Sequence, residues 1–351
     1  MKATEKYQWI MDALSQTPFT VKARAMKHFL MGKREYIPKK KTNADMDSLI
    51  KCALCPNMCR FDCPVSETEK SETASPSGRA RIAYLSETGR ISGEGVTNVL
   101  YKCCGCNACK QWCPFDFSLG DLLKGVRQDL VEKHEAPSNA IAVKDKLMKD
   151  HVMDKRTVEA KGKNTGDILY FMGCSVLSDH KEIAESMIEI MKKSGDECMT
   201  LKEEWCCGVP LHNLGFLKEF KEIASHNIEE IKKSGCKTVV CSCPTCTHVF
   251  KNIYPQVGLE LNVEILHSSE YLSKIVREEK IKCNSVKKEC VYHDPCTLAR
   301  KLELIDEPRE VLKNIPDLTV KYPYFGGKDT QCCGRGGSLG QTHSNLSEKI
   351  T

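Results

Sequence analysis

The chain has 351 residues, is 41% hydrophobic and 7% aromatic, and carries a formal charge of +5 with 22 cysteines. That length can bury a core of two or three units. No apolar run reaches the length of a membrane span and no secretory apolar segment is present, so a direct span is excluded and a reducing cytoplasm is expected, reached at most peripherally at the cytoplasmic membrane through a partner. Lys39, Lys40 and Lys41 form the one compact basic run, which reads as solvated, and with few aromatics and no stacking motif nucleic acid is excluded as a partner.

Residues 1–50 place Trp9, Ile10, Leu14, Phe19, Met26, Phe29 and Leu30 at helical spacing, broken at Pro18 and ended near Pro38, which predicts a helical arm. Residues 51–133 hold two cysteine runs. Cys52, Cys55, Cys59 and Cys63 precede Pro64, and Cys103, Cys106, Cys109 and Cys113 precede Pro114. The second run is C-x2-C-x2-C-x3-C-P, the spacing with which bacterial-type ferredoxins hold a [4Fe-4S] cubane, and the first differs by one extra residue between its second and third cysteines. In two-cluster ferredoxins the last cysteine of each run serves the other cluster. This implies one cubane on Cys52, Cys55, Cys59 and Cys113 and another on Cys103, Cys106, Cys109 and Cys63, with Cys104 spare. Short helices are expected over Arg79 to Ser86 and over Gly120 to Lys133, the second with Leu122, Leu123, Val126, Leu130 and Val131 on one face.

Residues 134–166, charged and closing in Gly162-Lys163-Asn164-Thr165-Gly166, read as a linker. From 167 the pattern alternates. Strands are expected at Ile168 to Met172, Cys198 to Leu201, Thr238 to Cys241 and Val263 to Leu266, and helices at Asp179 to Ser194, Leu217 to Ser234 and Ser268 to Glu278, which favours a small parallel sheet covered by helices. The fold class is therefore α+β overall, a helical cluster-binding domain followed by α/β repeats. Tyr170-Phe171-Met172-Gly173-Cys174 corresponds to Tyr292-His293-Asp294-Pro295-Cys296, and Cys206-Cys207-Gly208 to Cys332-Cys333-Gly334, at offsets of 122 and 126 residues. Two similar units, 167–288 and 289–351, explain the repeat.

Cys174 is followed after 31 residues by Cys206-Cys207 and after 35 more by Cys243-Pro244-Thr245-Cys246. This pattern resembles the cysteine-rich CCG domain of heterodisulfide reductase catalytic subunits, and with the upstream cubane motifs the chain looks like the fused form of that enzyme's ferredoxin-like and catalytic subunits. The resemblance implies that Cys174, Cys206, Cys207, Cys243 and Cys246 hold a noncubane [4Fe-4S] cluster that attacks a disulfide, with Cys206 and Cys207 closest to the chemistry. Five soft thiolates exceed what four irons need and select iron–sulfur or zinc over hard cations; a zinc site or a structural cluster without substrate is the competing reading. The implied function is disulfide reduction or formation fed through the cubanes. The alternative is an electron-transfer subunit of a flavin-dependent glycolate, lactate or glycerol-3-phosphate dehydrogenase. Either way a redox partner subunit is implied, a membrane cytochrome b or a flavoprotein.

The second CCG unit is expected to be incomplete, because its C-x2-C belongs near position 369 by the spacing of the first. Cys296, Cys332 and Cys333 then hold zinc, with His293 as the nearest further ligand, or nothing. Cys198, Cys236, Cys241, Cys283 and Cys290 fall outside the pattern and read as small buried apolar residues. Gly336-Gly337 lacks the context of a phosphate loop and reads as glycines that let backbone approach a cluster.

Overall fold

The computed structural model describes residues 15–31, 38, 41–154 and 166–351. Residues 1–41 and 42–351 form two units. In the first, helix α1 spans Phe19–Met31 and carries Phe19, Met26 and Leu30 exposed; Trp9, Ile10 and Leu14 of the expected arm lie outside the described residues.

The second unit opens with helices alone. They are α2 (Met46–Leu54), α3 (Pro64–Glu69), α4 (Pro76–Glu87), α5 (Glu94–Tyr101), α6 (Ala108–Gln111), α7 (Leu119–Glu132) and α8 (Ser138–Asp150). Each start follows local chemistry. Asp45 and Ser75 accept from Ser48 N and Gly78 N at the starts of α2 and α4, and Pro64 and Pro76 sit at first helical positions, where no amide hydrogen is needed. The apolar face expected on α7 is buried at Leu123, Val126 and Leu130.

Helix α8 corrects the linker reading of 134–166. Ala140, Val143 and Leu147, spaced by three and four, are all buried, so a charged segment packs through one narrow apolar stripe.

The α/β part follows as β1 (Ile168–Phe171), α9 (Cys174–Asp179), α10 (Lys181–Lys193), β2 (Cys198–Met199), α11 (Val209–Leu214), α12 (Leu217–Ser234), β3 (Thr238–Cys241), α13 (Pro244–His248), β4 (Glu264–His267) and α14 (Ser268–Arg277). The four strands pair in parallel in the order β2-β1-β3-β4. Successive strand residues point to opposite faces. Leu169, Phe171, Val239 and Cys241 join the core shared with α7, α8 and α12, while Tyr170, Met172 and Val240 join α10 and α14. Both faces are thus covered, as parallel sheets require.

The second repeat gives β5 (Lys288–Val291), α15 (Asp306–Lys313), β6 (Leu318–Lys321), α16 (Leu339–Thr342) and α17 (Ser344–Ile350), with β5 and β6 parallel. The helical and α/β parts share bonds across the sequence: Tyr101 Oη donates to Leu214 O at 3.0 Å, Arg127 Nη1 to Asn213 O at 2.7 Å, and Arg300 Nε to Cys106 O at 2.8 Å.

His267 starts α14 with a reciprocal cap. Its Nδ1 accepts from Ser269 N at 3.1 Å while Glu270 accepts from His267 N at 2.7 Å. Burial pushes His267 down to about 4. A depressed histidine contributes stability above its unfolded value near 6.5, and that contribution is lost as pH falls toward the folded value, because protonated Nδ1 cannot accept. Relative to His267→Asn, which keeps a capping acceptor, the wild type should lose about 2 kcal/mol between pH 7.5 and 5. Unfolding midpoints of both proteins at the two pH values check this; parallel loss in both would refute it.

Candidate iron–sulfur and thiolate sites

The first cysteine run is shaped by a left-handed turn. Asn57, at φ 68°, takes the extra residue between Cys55 and Cys59, and its Oδ1 accepts from Ser77 N at 3.4 Å. Asn107 has the same conformation in the second run, at φ 62°, with Oδ1 accepting from Ser118 Oγ at 2.8 Å. These turns gather the cysteines into two groups. Cys52, Cys55, Cys59 and Cys113, with Cys109 at its edge, line a cavity of about 220 Å³ rimmed by Trp112 and Phe115. Cys63, Cys103, Cys106 and Cys109 line a second of about 20 Å³ that also touches Cys104. The last cysteine of each run thus crosses to the other group.

The thiols crowd one another electrostatically, and Cys63 also raises Cys59 across the two groups. Burial, then Cys59, Cys113 and Cys55, push the Cys52 thiol up to about 12. Burial, then Cys106, Cys103 and Cys63, push Cys109 well up. Four crowded thiols that resist ionising together are a donor set that fits a cationic, thiophilic centre.

Arg79, missed by the sequence reading, lies beside the second group at 1% exposure. Its Nη2 donates to Cys63 Sγ at 2.9 Å and its Nη1 to Lys102 O. Burial alone would lower its pKa, but Cys63 and Cys103 hold it above the ordinary value.

In the α/β part the three cysteine segments meet at the carboxyl ends of β1 and β3, where such sheets bind ligands. Gly173, at φ 85°, ends β1, and a Cβ there would lie 3.3 Å from both Cys243 Cβ and Cys246 Sγ. The thiols form one chain of contacts: Cys174 with Cys206, Cys206 with Cys207, Cys207 with Cys246, and Cys246 with Cys243. Hydrogen bonds from Cys206 and Cys246 hold Cys207 down to about 6, and one from Cys246 holds Cys243 down to about 6. Cys174, Cys206 and Cys246 are raised. Five free thiols linked in one chain of contacts fit a soft polynuclear centre, in which each can serve as thiolate.

The groups that fix this site were not foreseen. Glu204, buried, accepts from Met172 N at 2.9 Å and Gly173 N at 2.6 Å. Asn227 Nδ2 and Tyr254 Oη donate to the carbonyls of Cys206 and Cys207, at 2.9 and 3.1 Å. A π-helical turn over Val249–Ile253 brings Tyr254 into reach. Trp205 is stacked between His151 and His226, with ring centroids 3.5 Å away on each side. Glu204-Trp205 directly preceding Cys206 was the available signal.

Lys124, Lys301, His212 and His248 share one carboxylate, Asp121, whose Oδ1 is 2.8 Å from Lys124 Nζ, and Lys301 also feels Cys296 and Cys106. Burial would raise Asp121, but Lys124 and Lys301 overcome it and bring it to about 2. Burial, with Lys124 and Lys301, lowers His212 to about 3. Two lysines against one carboxylate leave an excess of positive charge.

In the second repeat, Cys332 lies within hydrogen-bonding reach of Cys296, Cys104 and Cys106. Cys333 and His293 are exposed. Cys198, Cys236 and Cys241 are buried, while Cys283 and Cys290 are partly so.

Comparison with known families covers these segments. A family described as a cysteine-rich domain matches residues 168–251 and again 290–351, and one described as a 4Fe-4S dicluster domain matches 48–117. One subunit of the fumarate reductase (CoM/CoB) of Methanothermobacter marburgensis is 30% identical over 94% of this chain and 68% of its own length. One subunit of the dihydromethanophenazine:CoB–CoM heterodisulfide reductase of Methanosarcina mazei is 31% identical over 74% of this chain and 68% of its own length. The EtfAB:quinone oxidoreductase of Syntrophomonas wolfei is 26% identical over 84% of this chain and 48% of its own length. With the dicluster segment, the repeated CCG segment and relatives of this similarity together in one chain, the protein belongs to the heterodisulfide reductase-like family of iron–sulfur proteins.

Proposed function

We propose that this chain is the disulfide-handling subunit of a heterodisulfide reductase-like complex. One cubane is held by Cys52, Cys55, Cys59 and Cys113, the other by Cys63, Cys103, Cys106 and Cys109, and a noncubane [4Fe-4S] cluster by Cys174, Cys206, Cys207, Cys243 and Cys246. The observation that carries the reading is the convergence of those five thiols in one chain of contacts. When bound there, the cluster supplies single electrons and an iron open to a substrate sulfur.

The protein's own groups supply the rest. Gly173 lets the Cys174 segment close on Cys243 and Cys246, Glu204 pins that segment, and Asn227 and Tyr254 fix the Cys206-Cys207 backbone. The excess positive charge of Lys124 and Lys301 suits acidic substituents on a disulfide, a heterodisulfide being the substrate named for the Methanosarcina relative. Reduction of one disulfide to two thiols takes two electrons and two protons. The electrons come from a separate redox subunit, since the first two relatives are named as subunits of larger reductases. That donor is a membrane cytochrome b or a flavoprotein. Among the described residues no helix is long and apolar enough to cross a membrane.

The test is turnover. The loaded chain, reduced by a low-potential chemical donor, should release thiols catalytically from small acidic disulfides. No release across such a series, with the five-cysteine cluster intact, would leave electron transfer to another subunit as the function.

A further inference from the structure

Trp205 stands directly before Cys206 and is only partly buried, yet it is held on both faces. Its ring centroid lies 3.5 Å from that of His151 on one side, with the planes 3° apart, and 3.5 Å from that of His226 on the other, with the planes 17° apart. The segments that grip the indole also bond the backbone of Cys206. His151 ends helix α8 at φ 57°, and its carbonyl accepts from Cys206 N at 2.8 Å. On α12 Asn227, the residue after His226, donates through Nδ2 to Cys206 O at 2.9 Å. Before Trp205, Glu204 accepts from Met172 N and Gly173 N, so the three residues Glu204, Trp205 and Cys206 are tied in turn to the end of β1, to α8 and to α12. The His226 ring is placed for stacking. Its Nε2 is buried without a hydrogen-bond partner among the described residues, which costs free energy that a histidine turned to water avoids, and burial lowers its pKa and so favours the neutral ring.

We propose that Trp205 is a positioning residue for the five-cysteine site: clamped between His151 and His226, it fixes the Cys206 backbone and with it the place of the Cys206 and Cys207 thiols between Cys174 and Cys246. Cys206 touches Cys174 and Cys207, and Cys207 touches Cys246, so a rotation of this backbone disturbs both ends of the chain of thiols. Rings in contact on both faces leave the indole no room to turn. Leucine fills much of the same space without a flat face, whereas phenylalanine keeps the face. A misplacement of about 1 Å set from outside the chemistry costs on the order of 100-fold in rate. The consequence for turnover rests on the disulfide-handling reading; the consequence for the centre itself rests only on the five cysteines holding one.

The experiment compares Trp205→Leu, Trp205→Phe, His226→Leu and His226→Phe with the wild type, each as the full chain reconstituted anaerobically with iron and sulfide. Iron content, the electron paramagnetic resonance spectrum and midpoint potential of the five-cysteine centre, and reduction of dithiodiglycolate by a low-potential chemical donor are measured. Both Leu variants should keep the wild-type iron content and cubane signals and show a shifted spectrum and potential for the five-cysteine centre. Their kcat should fall at least ~10-fold with KM within about twofold of wild type, and each Phe variant should recover most of the wild-type spectrum. Wild-type spectrum, potential and kcat in an iron-loaded Trp205→Leu protein overturn the proposal. Loss of that centre's iron from the Leu and Phe variants alike also overturns it, because Trp205 would then only hold the chain together. Where Trp205→Leu alone fails to load, a shifted spectrum in His226→Leu supports the proposal and a wild-type one overturns it. A wild type that carries the centre but reduces no disulfide refutes the disulfide reading alone, and the spectra still decide on Trp205; a wild type without the centre overturns both.

Discussion

Replacing Cys207 by serine should lower disulfide reduction at least ~100-fold, the equivalent of ~2.7 kcal/mol of barrier, while both cubanes remain reducible. Cys207 stands between two thiol donors, Cys206 and Cys246, and is held down to about 6 by them. With Cys243 it is one of the two sulfurs in this group held down in this way, and the thiolate is the species that binds metal and reacts with disulfides. The thiols of the adjacent Cys206 and Cys207 touch each other, which suits a bridging or displaced role for one of them. Serine keeps the size and loses the soft donor. Steady-state thiol release with an artificial donor, alongside dithionite reduction of the cubanes followed by electron paramagnetic resonance, measures both halves of the expectation. A Cys207→Ser rate within about twofold of wild type, well under 1 kcal/mol by the same scale, would show that this sulfur has no part in the reaction.

Arg79→Met should cost about 3–5 kcal/mol, because removing one partner of a buried charge pair leaves the other uncompensated. The guanidinium is fixed by Lys102 O and lies 2.9 Å from Cys63 Sγ, with no solvent to replace it. Negative charge on the second cubane thereby loses its nearest buried cation, so its midpoint potential should fall while that of the first cubane stays put. Arg79→Lys should recover part of the stability and less of the potential, since an ammonium cannot make the same forked contacts. Denaturant unfolding and redox titration of the two cubane signals test this. An unchanged second potential in a folded Arg79→Met protein would separate Arg79 from the cluster.

Much of this was legible in the sequence because the signals are local. Strand β3 and helix α12 fall on the expected residues, Thr238–Cys241 and Leu217–Ser234, since an apolar run and a helical stripe each lie within one element. Helix α8 was hidden because Lys and Asp outnumber the three residues that bury. The polar residues that hold the sites were hidden for another reason. Arg79 meets Cys63 across 16 positions, Asn227 meets Cys206 across 21, and Glu204 meets Met172 across 32. Cys104 meets Gly334 across 230. Such pairings exist only once the chain has folded, and no spacing rule announces them.

The proposed function stands on two cubanes and a third iron–sulfur centre, the last on Cys174, Cys206, Cys207, Cys243 and Cys246. Iron and acid-labile sulfide counted in the anaerobically reconstituted full chain decide whether all three are present. About twelve of each per chain are expected from three four-iron clusters; about eight, with one zinc bound to the five-cysteine group, would contradict it.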